Sequence, residues 1–483
     1  AYAYRPMEVI SADEVAAIHA TALTILAEIG IKVLSAEARR LYASAGAENE
    51  AGTDRVRFPT GMAMELVAKA PAEFLLHARD PAKTVRIGGR HLIFSSVGGP
   101  AYVCDIEKGR RQGTFAEQCD FLKLVQSLNI LHQEGGGPFE ALDLDPRTRH
   151  LDLYGAQATL LDKNWQPQGL GRNLAVDALD VAALSLGLER EALVGHCVFT
   201  TIINTNSPLQ LDVPMAEGLI AMAEHGQCNV ITPFTLAGAM SPVTIAGALA
   251  QQHAEAIAGI ALAEIVKPGA PVMYGGFTSN VDMRTGAPAF GTPEYAKAAQ
   301  ASGQLARLLG VPFRSSNVTA ANDIDAQAAY ESMMSLWGAV TGGANLILHA
   351  AGWLNGGLTA SFEKLIIDAE LLQMMASWCD PLTVDAQSLA LDAVRDVGPA
   401  GHFFGTAHTL ARYETAFYRP LVSNWDNYDT WKERGGETAP GRANRIWKRL
   451  LADYIEPAMD PGRREAIAAF VTKRKETYLH PQQ

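Results

Sequence analysis

Aromatic rings and a few polar groups recur at the ends of short β-rich runs, where a parallel α/β protein presents its working residues. Tyr102, Trp165, Phe199, Phe234, Tyr274, Phe277, Phe313 and Trp353 all fall at or near such ends. Each could simply pack a core or a loop. Together they suit a box in which ring faces replace water around a quaternary ammonium. Arg314 lies inside Val311-Pro-Phe-Arg-Ser-Ser316, a run expected to be a buried strand. A buried guanidinium needs an anion, and either an internal acid such as Glu331 or a substrate carboxylate would serve. His349 ends the run Asn345-Leu-Ile-Leu-His349, either as a substrate contact or as a satisfied core histidine. Glu134 precedes Gly135-Gly-Gly137 and, with His349, is a candidate acid or base.

Other chemistries lack their partners. His132-Gln-Glu134 has the H-x-E spacing of a zinc deaminase, but no P-C-x-x-C completes it. His196-Cys197 stands without a later cysteine at a ligand spacing, and no HExxH occurs, so no metal site is expected. There is no GxSxG elbow for a serine nucleophile. Gly169-Leu-Gly171-Arg-Asn lacks the third glycine of a dinucleotide loop, and no GxxxxGK[ST] is present.

The elements that must position these residues read as βα repeats. Thr114-x-x-Glu117 caps a helix carrying Phe121, Leu124, Val125 and Leu128 on one face, followed by the run 129–133. Runs at 164–168, 197–204, 229–233, 272–276, 311–316 and 345–349 alternate with longer apolar-periodic segments. Ser241-Pro242 and Thr292-Pro293 start helices, and Gly226 and Gly310 stop them. Seven strands alternating with helices predict a (β/α)8 TIM-type barrel over a doubly wound sheet, with the eighth strand at 101–106 or after 385. Residues 1–110 read as an N-terminal helical and extended cap, 111–400 as the barrel, and 401–483 as a helical C-terminal extension packed on it.

Of the 483 residues, 48% are hydrophobic, too many for a disordered chain and enough for a large core. A net charge of −12 argues against nucleic-acid and anionic-membrane surfaces. Glu255 and Glu264 interrupt the most apolar helices, so no membrane span is expected, and the opening AYAYRPMEVI has no basic-then-apolar leader. Five scattered cysteines suggest free thiols in the cytoplasm.

Longer strings add a resemblance. Arg314-Ser-Ser-Asn-Val-Thr-Ala-Ala-Asn-Asp-Ile-Asp-Ala-Gln-Ala-Ala-Tyr-Glu331, Gly343-Ala-Asn-Leu-Ile-Leu-His-Ala-Ala-Gly352, the stretch Gly357–Glu370 and the stretch Gly401–Leu410 are similar to the trimethylamine methyltransferase family. The resemblance implies a (β/α)8 barrel that moves a methyl group from an amine to the Co(I) corrinoid of a separate small protein. Cobalamin would then belong to a cognate corrinoid protein, with no cofactor held by this chain. The founding enzymes of the family carry pyrrolysine, whereas this sequence has standard residues only. That departure points to the branch resembling glycine betaine:corrinoid methyltransferases, and Tyr102, Arg314 and His349 carry over as pocket residues. The expected substrate site is Tyr102, Glu134, Trp165, Phe234, Phe277, Arg314, His349 and Trp353, with no general acid or base and no metal. The methyl of a quaternary ammonium is already electrophilic, so the protein need only desolvate and orient it. A non-catalytic binding protein for methylated amines or corrinoid, and a metal-free barrel lyase or hydrolase, are the alternatives. A homo-oligomer is compatible with the Trp-rich C-terminal region.

Overall fold

The structure, a computed structural model, describes residues 1–480. Eight short parallel strands form a closed ring: β1 (Ile93–Phe94), β2 (Gln133–Glu134), β3 (Asn164–Trp165), β4 (Thr200–Thr205), β5 (Cys228–Pro233), β6 (Val272–Gly275), β7 (Phe313–Ser316) and β8 (Leu346–Leu348). Each leads into one helix: α1 (Phe115–Ser127), α2 (Arg149–Leu160), α3 (Arg172–Leu186), α4 (Val213–Glu224), α5 (Ile245–Val266), α6 (Pro293–Leu309), α7 (Ala326–Thr341) and α8 (Phe362–Cys379). Backbone pairing joins β4 through β8 in order and then β8 to β1. Ser95 bridges to Gln133, and β2 pairs with β3. The remaining seam, β3 to β4, is bonded through side chains, with Gln166 Nε2 donating to Thr200 Oγ1 at 2.7 Å. The fold is a (β/α)8 barrel.

Strands of such a barrel face packed side chains inside and helices outside, so β5 is buried at every position. Local chemistry sets the helix ends. Thr114 and Glu117 form the capping box of α1, while Asp212 and Thr292 cap α4 and α6 just before Pro214 and Pro293. Gly310 turns left-handed, φ +70°, to close α6.

Two expectations need correction. The eighth strand is β1, at Ile93–Phe94, rather than 101–106 or a segment after 385. The strands and helices of the barrel therefore run from Ile93 to Cys379, starting before the expected 111 and ending before the expected 400. Residues Tyr102–Cys104 instead form a rim strand paired with Thr359–Ser361. A two-residue strand between Gly88-Gly89 and Gly98-Gly99 offers too little periodicity to mark it as part of the ring.

At the N-terminal end of the barrel, the hairpin Glu73–Leu76/Val85–Gly88 places Leu76 and Ile87 on Ile93, Val230, Met273 and Leu346. Helix Ala12–Thr24, behind its Ser11/Glu14 capping box, packs on α5 and α6. Helix Ala439–Ala452 lies against α8 and α1, and Pro461–Leu479 against α2 and α3. No helix among the described residues is long and apolar enough to cross a membrane.

Candidate active site

A cavity of about 650 Å³ opens at the C-terminal ends of the strands. Five of the eight expected site residues line it: Phe234, Phe277, Arg314, His349 and Trp353. They form one continuous cluster. The Phe234 and Phe277 ring centroids are 5.2 Å apart, Phe277 and Trp353 6.5 Å, and His349 and Trp353 4.4 Å. The Arg314 guanidinium lies 5.3 Å from the centre of the Phe277 ring, so that ring already faces a cation.

Arg314 is 1% exposed. Its Nη2 donates to Ser316 Oγ at 2.7 Å, two residues along the same strand face. Nε and Nη1 are buried without a protein partner. No carboxylate among the described residues pairs with it. Glu331 accepts instead from the Thr319 hydroxyl and from the Ala320 and Ala321 N–H groups at 2.8 and 3.1 Å. Burial lowers the Arg314 pKa to about 10, with Tyr295 acting weakly the other way. The guanidinium thus stays charged at neutral pH and presents open donors.

His349 adopts φ +53°, a left-handed conformation that costs a residue bearing a Cβ about 1 kcal/mol. Its Nδ1 is buried and unpartnered. Burial first, and then the neighbouring Arg314 charge, push its pKa well below the usual histidine value, so the ring is neutral.

Three expected residues lie elsewhere. Trp165 points outward from β3, its ring 4.6 Å from Phe199 and 5.7 Å from Tyr154. Side chains alternate along a strand, so the inward position belongs to the next residue, Gln166. Tyr102 sits on the rim strand with the Arg110 guanidinium 3.6 Å over its ring, which occupies the face a substrate cation would use. Glu134 also points outward. Its carboxylate accepts from the Gly137 and Gly136 N–H groups at 2.8 and 3.1 Å and from the Gln157 amide. Burial raises its pKa to about 7 against those hydrogen bonds. It shapes the Gly135-Gly136 wall from behind, and the lyase or hydrolase reading loses it as a base. Phe199, Tyr274 and Phe313 pack in the core.

Gln166, Leu170, Met215 and Met240 line the cavity without having been singled out from the sequence. Buried acids hold the walls. Glu255 receives the Thr205 hydroxyl, the Ser207 hydroxyl at 2.8 Å and the Leu209 N–H at 2.8 Å, fixing the loop after β4. Asp368, paired with Lys364, accepts the Gly352 N–H at 2.9 Å beside Trp353. Trp353 Nε1 donates to the Thr319 carbonyl at 3.2 Å. Among the described residues, no group of three or more His, Cys, Asp or Glu side chains is placed to hold a metal ion.

Comparison with known proteins gives this barrel its class. The family model of trimethylamine methyltransferase (MTTB) matches residues 2–478. Glycine betaine methyltransferase of Desulfitobacterium hafniense (strain Y51) is 36% identical over 467 residues, covering 96% of this chain and 97% of that one. Trimethylamine methyltransferase MttB2 of Methanosarcina mazei is 25% identical over 498 residues, covering 97% and 95%. The crystal structure of the Methanosarcina barkeri monomethylamine methyltransferase superposes with a TM-score of 0.48 at 10% identity, covering 92% of this chain and 94% of that one. Fold and sequence together define a (β/α)8-barrel methyltransferase. The chain belongs to the trimethylamine methyltransferase family.

Proposed function

We propose that this chain takes a methyl group from a quaternary ammonium that also carries a carboxylate, glycine betaine or a related betaine, and passes it to the Co(I) corrinoid of a separate protein. The observation that carries the reading is Arg314, a buried cation with two unpartnered donor atoms at the cavity wall and no internal acid. A betaine carboxylate matches that need, since an unpaired buried carboxylate is heavily penalised and a guanidinium fork satisfies it. Neutral His349 donates to the same carboxylate through a ring N–H. Phe234 and Trp353 give the ammonium its ring faces, while Phe277 stays under the Arg314 guanidinium.

The acceptor supplies a nucleophilic Co(I), to which the methyl carbon bonds while the C–N electron pair remains on the departing tertiary amine. The amine leaves neutral, so the chain moves no proton. Its residues strip water from the cation, pair the carboxylate and turn one methyl towards the mouth. The cavity exceeds what an eight-heavy-atom betaine fills, and Gly98, Gly99, Gly135, Gly136, Gly169 and Gly357 line its wall and rim. A Cβ on Gly99 would meet nothing within 4 Å, so this part of the rim is open to a flat macrocycle. The five free cysteines fit a reducing cytoplasm.

The test is Arg314→Ala with two substrates. Turnover of glycine betaine, as kcat/KM, should fall by about 2–4 kcal/mol, some 30- to 1,000-fold, the usual loss when a buried charged hydrogen bond is broken. Choline, which has no carboxylate, should be affected much less. Arg314→Lys should not restore the betaine rate, because a single ammonium cannot make the fork. Normal betaine turnover by Arg314→Ala would remove the carboxylate from the assignment.

A further inference from the structure

Phe277 turns its ring into the cavity just where its backbone leaves the sheet. The Gly276 N–H donates to the Arg314 carbonyl at 3.1 Å, where the pairing of β6 with β7 ends. The N–H of the next residue, Phe277, meets a side chain instead. It donates to Gln252 Oε1 at 3.2 Å, and among the described residues it has no other acceptor. Gln252 stands within α5 and is fully buried. Its carbonyl also accepts the Thr278 hydroxyl at 2.7 Å. Its amide nitrogen donates to the Tyr274 hydroxyl at 3.1 Å and to Ser302 Oγ at 2.9 Å. A side-chain amide has two lone pairs and two N–H groups, so all four capacities are filled. The Phe277 N–H can only donate, which fixes the end of the amide that faces it.

The four bonds differ in what they hold. The Tyr274 hydroxyl lies 3.2 Å from His253 Nδ1, and the Thr278 hydroxyl also bonds to that of Thr235. Ser302 is on α6, where a serine hydroxyl can turn back to a carbonyl of its own helix. Each of these hydroxyls can rotate to another partner. A backbone N–H cannot, and a buried one without an acceptor is heavily penalised. Gly275 and Gly276, just before it, have no side chains to hold the turn, so the place of Phe277 depends on the Gln252 carbonyl. That place matters to the cavity, since the ring lies 5.3 Å from the Arg314 guanidinium and 5.2 Å from Phe234. The clamp also reaches the loop of Phe234, through the bond between Thr278 and Thr235 and through the Ser279 N–H, which donates to the Thr235 carbonyl at 3.2 Å. An apolar side chain would fill the space between α5 and β6 at less cost, whereas a fully bonded amide specifies one geometry. We infer that Gln252 is a positioning residue, holding Phe277 under Arg314 and beside Phe234 from behind the barrel wall. Its kinetic consequence rests on the betaine reading above, while its geometry does not.

Hydrogen exchange of the Phe277 amide tests the geometry without substrate. It is read by NMR on the full chain labelled with ¹⁵N-phenylalanine, the Phe277 signal being the one lost in Phe277→Leu. Gln252→Met should speed exchange at Phe277 by about 30-fold or more. Phe121 and Phe362, on α1 and α8, should exchange as in the parent. Gln252→Glu keeps an acceptor towards Phe277 whether its carboxyl is neutral or ionised, and should hold exchange within about threefold of the parent. With glycine betaine, Gln252→Met should raise KM by about 5- to 50-fold with a smaller fall in kcat, and Gln252→Glu should recover most of the loss. In a Phe277→Leu background the same Met replacement should change KM by less than about twofold, because no ring is left to place. Unchanged Phe277 exchange in Gln252→Met overturns the inference. So do equal effects of the Met and Glu replacements, or a Gln252→Met penalty that adds in full to that of Phe277→Leu. If Gln252→Met does not fold, Gln252→Glu decides: slow Phe277 exchange in that variant supports the inference and fast exchange overturns it. A parent that does not turn over betaine removes the substrate reading, and exchange still decides the positioning.

Discussion

Arg314 destabilises the barrel that contains it. A guanidinium taken from water with Nε and Nη1 unpaired is an expensive group to leave inside a strand, and apolar side chains of similar volume would pack there without that penalty. Its value lies in what it offers to the cavity, as does the left-handed backbone at His349. The aromatic side of the cavity has a different signature. In the proposed reading Phe234, which lines the cavity, faces the cationic end that betaine and choline share. Phe234→Leu should therefore raise KM for both substrates by a similar factor, about 2- to 30-fold from the loss of roughly 0.5–2 kcal/mol of cation–π attraction. Equal effects on the two substrates, set against the unequal effects expected of Arg314→Ala, separate the two ends of the site. Steady-state kinetics on both substrates read this directly, and a loss confined to betaine would remove Phe234 from the cation box.

At the scale of elements, the ends of β1 and β2 approach too closely for any side chain. A Cβ on Gly135 would meet the Ser96 carbonyl oxygen at 2.1 Å, and one on Gly98 would meet the Gly135 carbonyl at 1.9 Å. Gly135→Ala must push this seam apart, and its thermal midpoint should fall by the equivalent of about 2 kcal/mol or more. A midpoint within a degree of the parent would show that the seam is looser than described. Behind it, Glu134 has a pKa raised by burial to about 7. A raised carboxyl contributes stability that is full below its unfolded value, near 4.5, and is lost as pH rises through about 7. Glu134→Gln should therefore flatten the decline in thermal midpoint between pH 5 and 8. Glu264, raised to about 7 by the same cause, keeps part of the slope. An unchanged pH profile would place the Glu134 titration outside this range. These elements also show where sequence reasoning reached and where it stopped. Strands β4 to β8 were legible because long apolar runs sit between well-marked caps such as Asp212 and Thr292. The phase within a strand was not. A barrel strand is buried on both faces, so no polar alternation shows whether Trp165 or Gln166 points inward. Phe234, Phe277, His349 and Trp353, which the structure brings to one cavity, could be singled out because each lies just beyond a barrel strand, and Arg314 because a charge inside a buried strand stands out. Tyr102 was misplaced with β1, since a rim strand and a two-residue barrel strand look alike without their partners.

The whole molecule has two unlike ends. The mouth carries the cavity lined by Arg314, His349 and the aromatic rings, with a rim of glycines, while the far end carries an apolar cleft lined by Tyr4, Trp337 and Trp378. The central claim concerns the mouth. Its most direct measurement is single-turnover methyl transfer from methyl-¹³C-labelled glycine betaine to Co(I) cobalamin, followed by absorbance of the methylated cobalamin and by NMR of the amine product. The account predicts one equivalent each of ¹³C-methylated cobalamin and dimethylglycine, with trimethylamine and choline much slower. Methylated cobalamin from trimethylamine but not from any betaine, or demethylation of betaine that proceeds without Co(I), would contradict it.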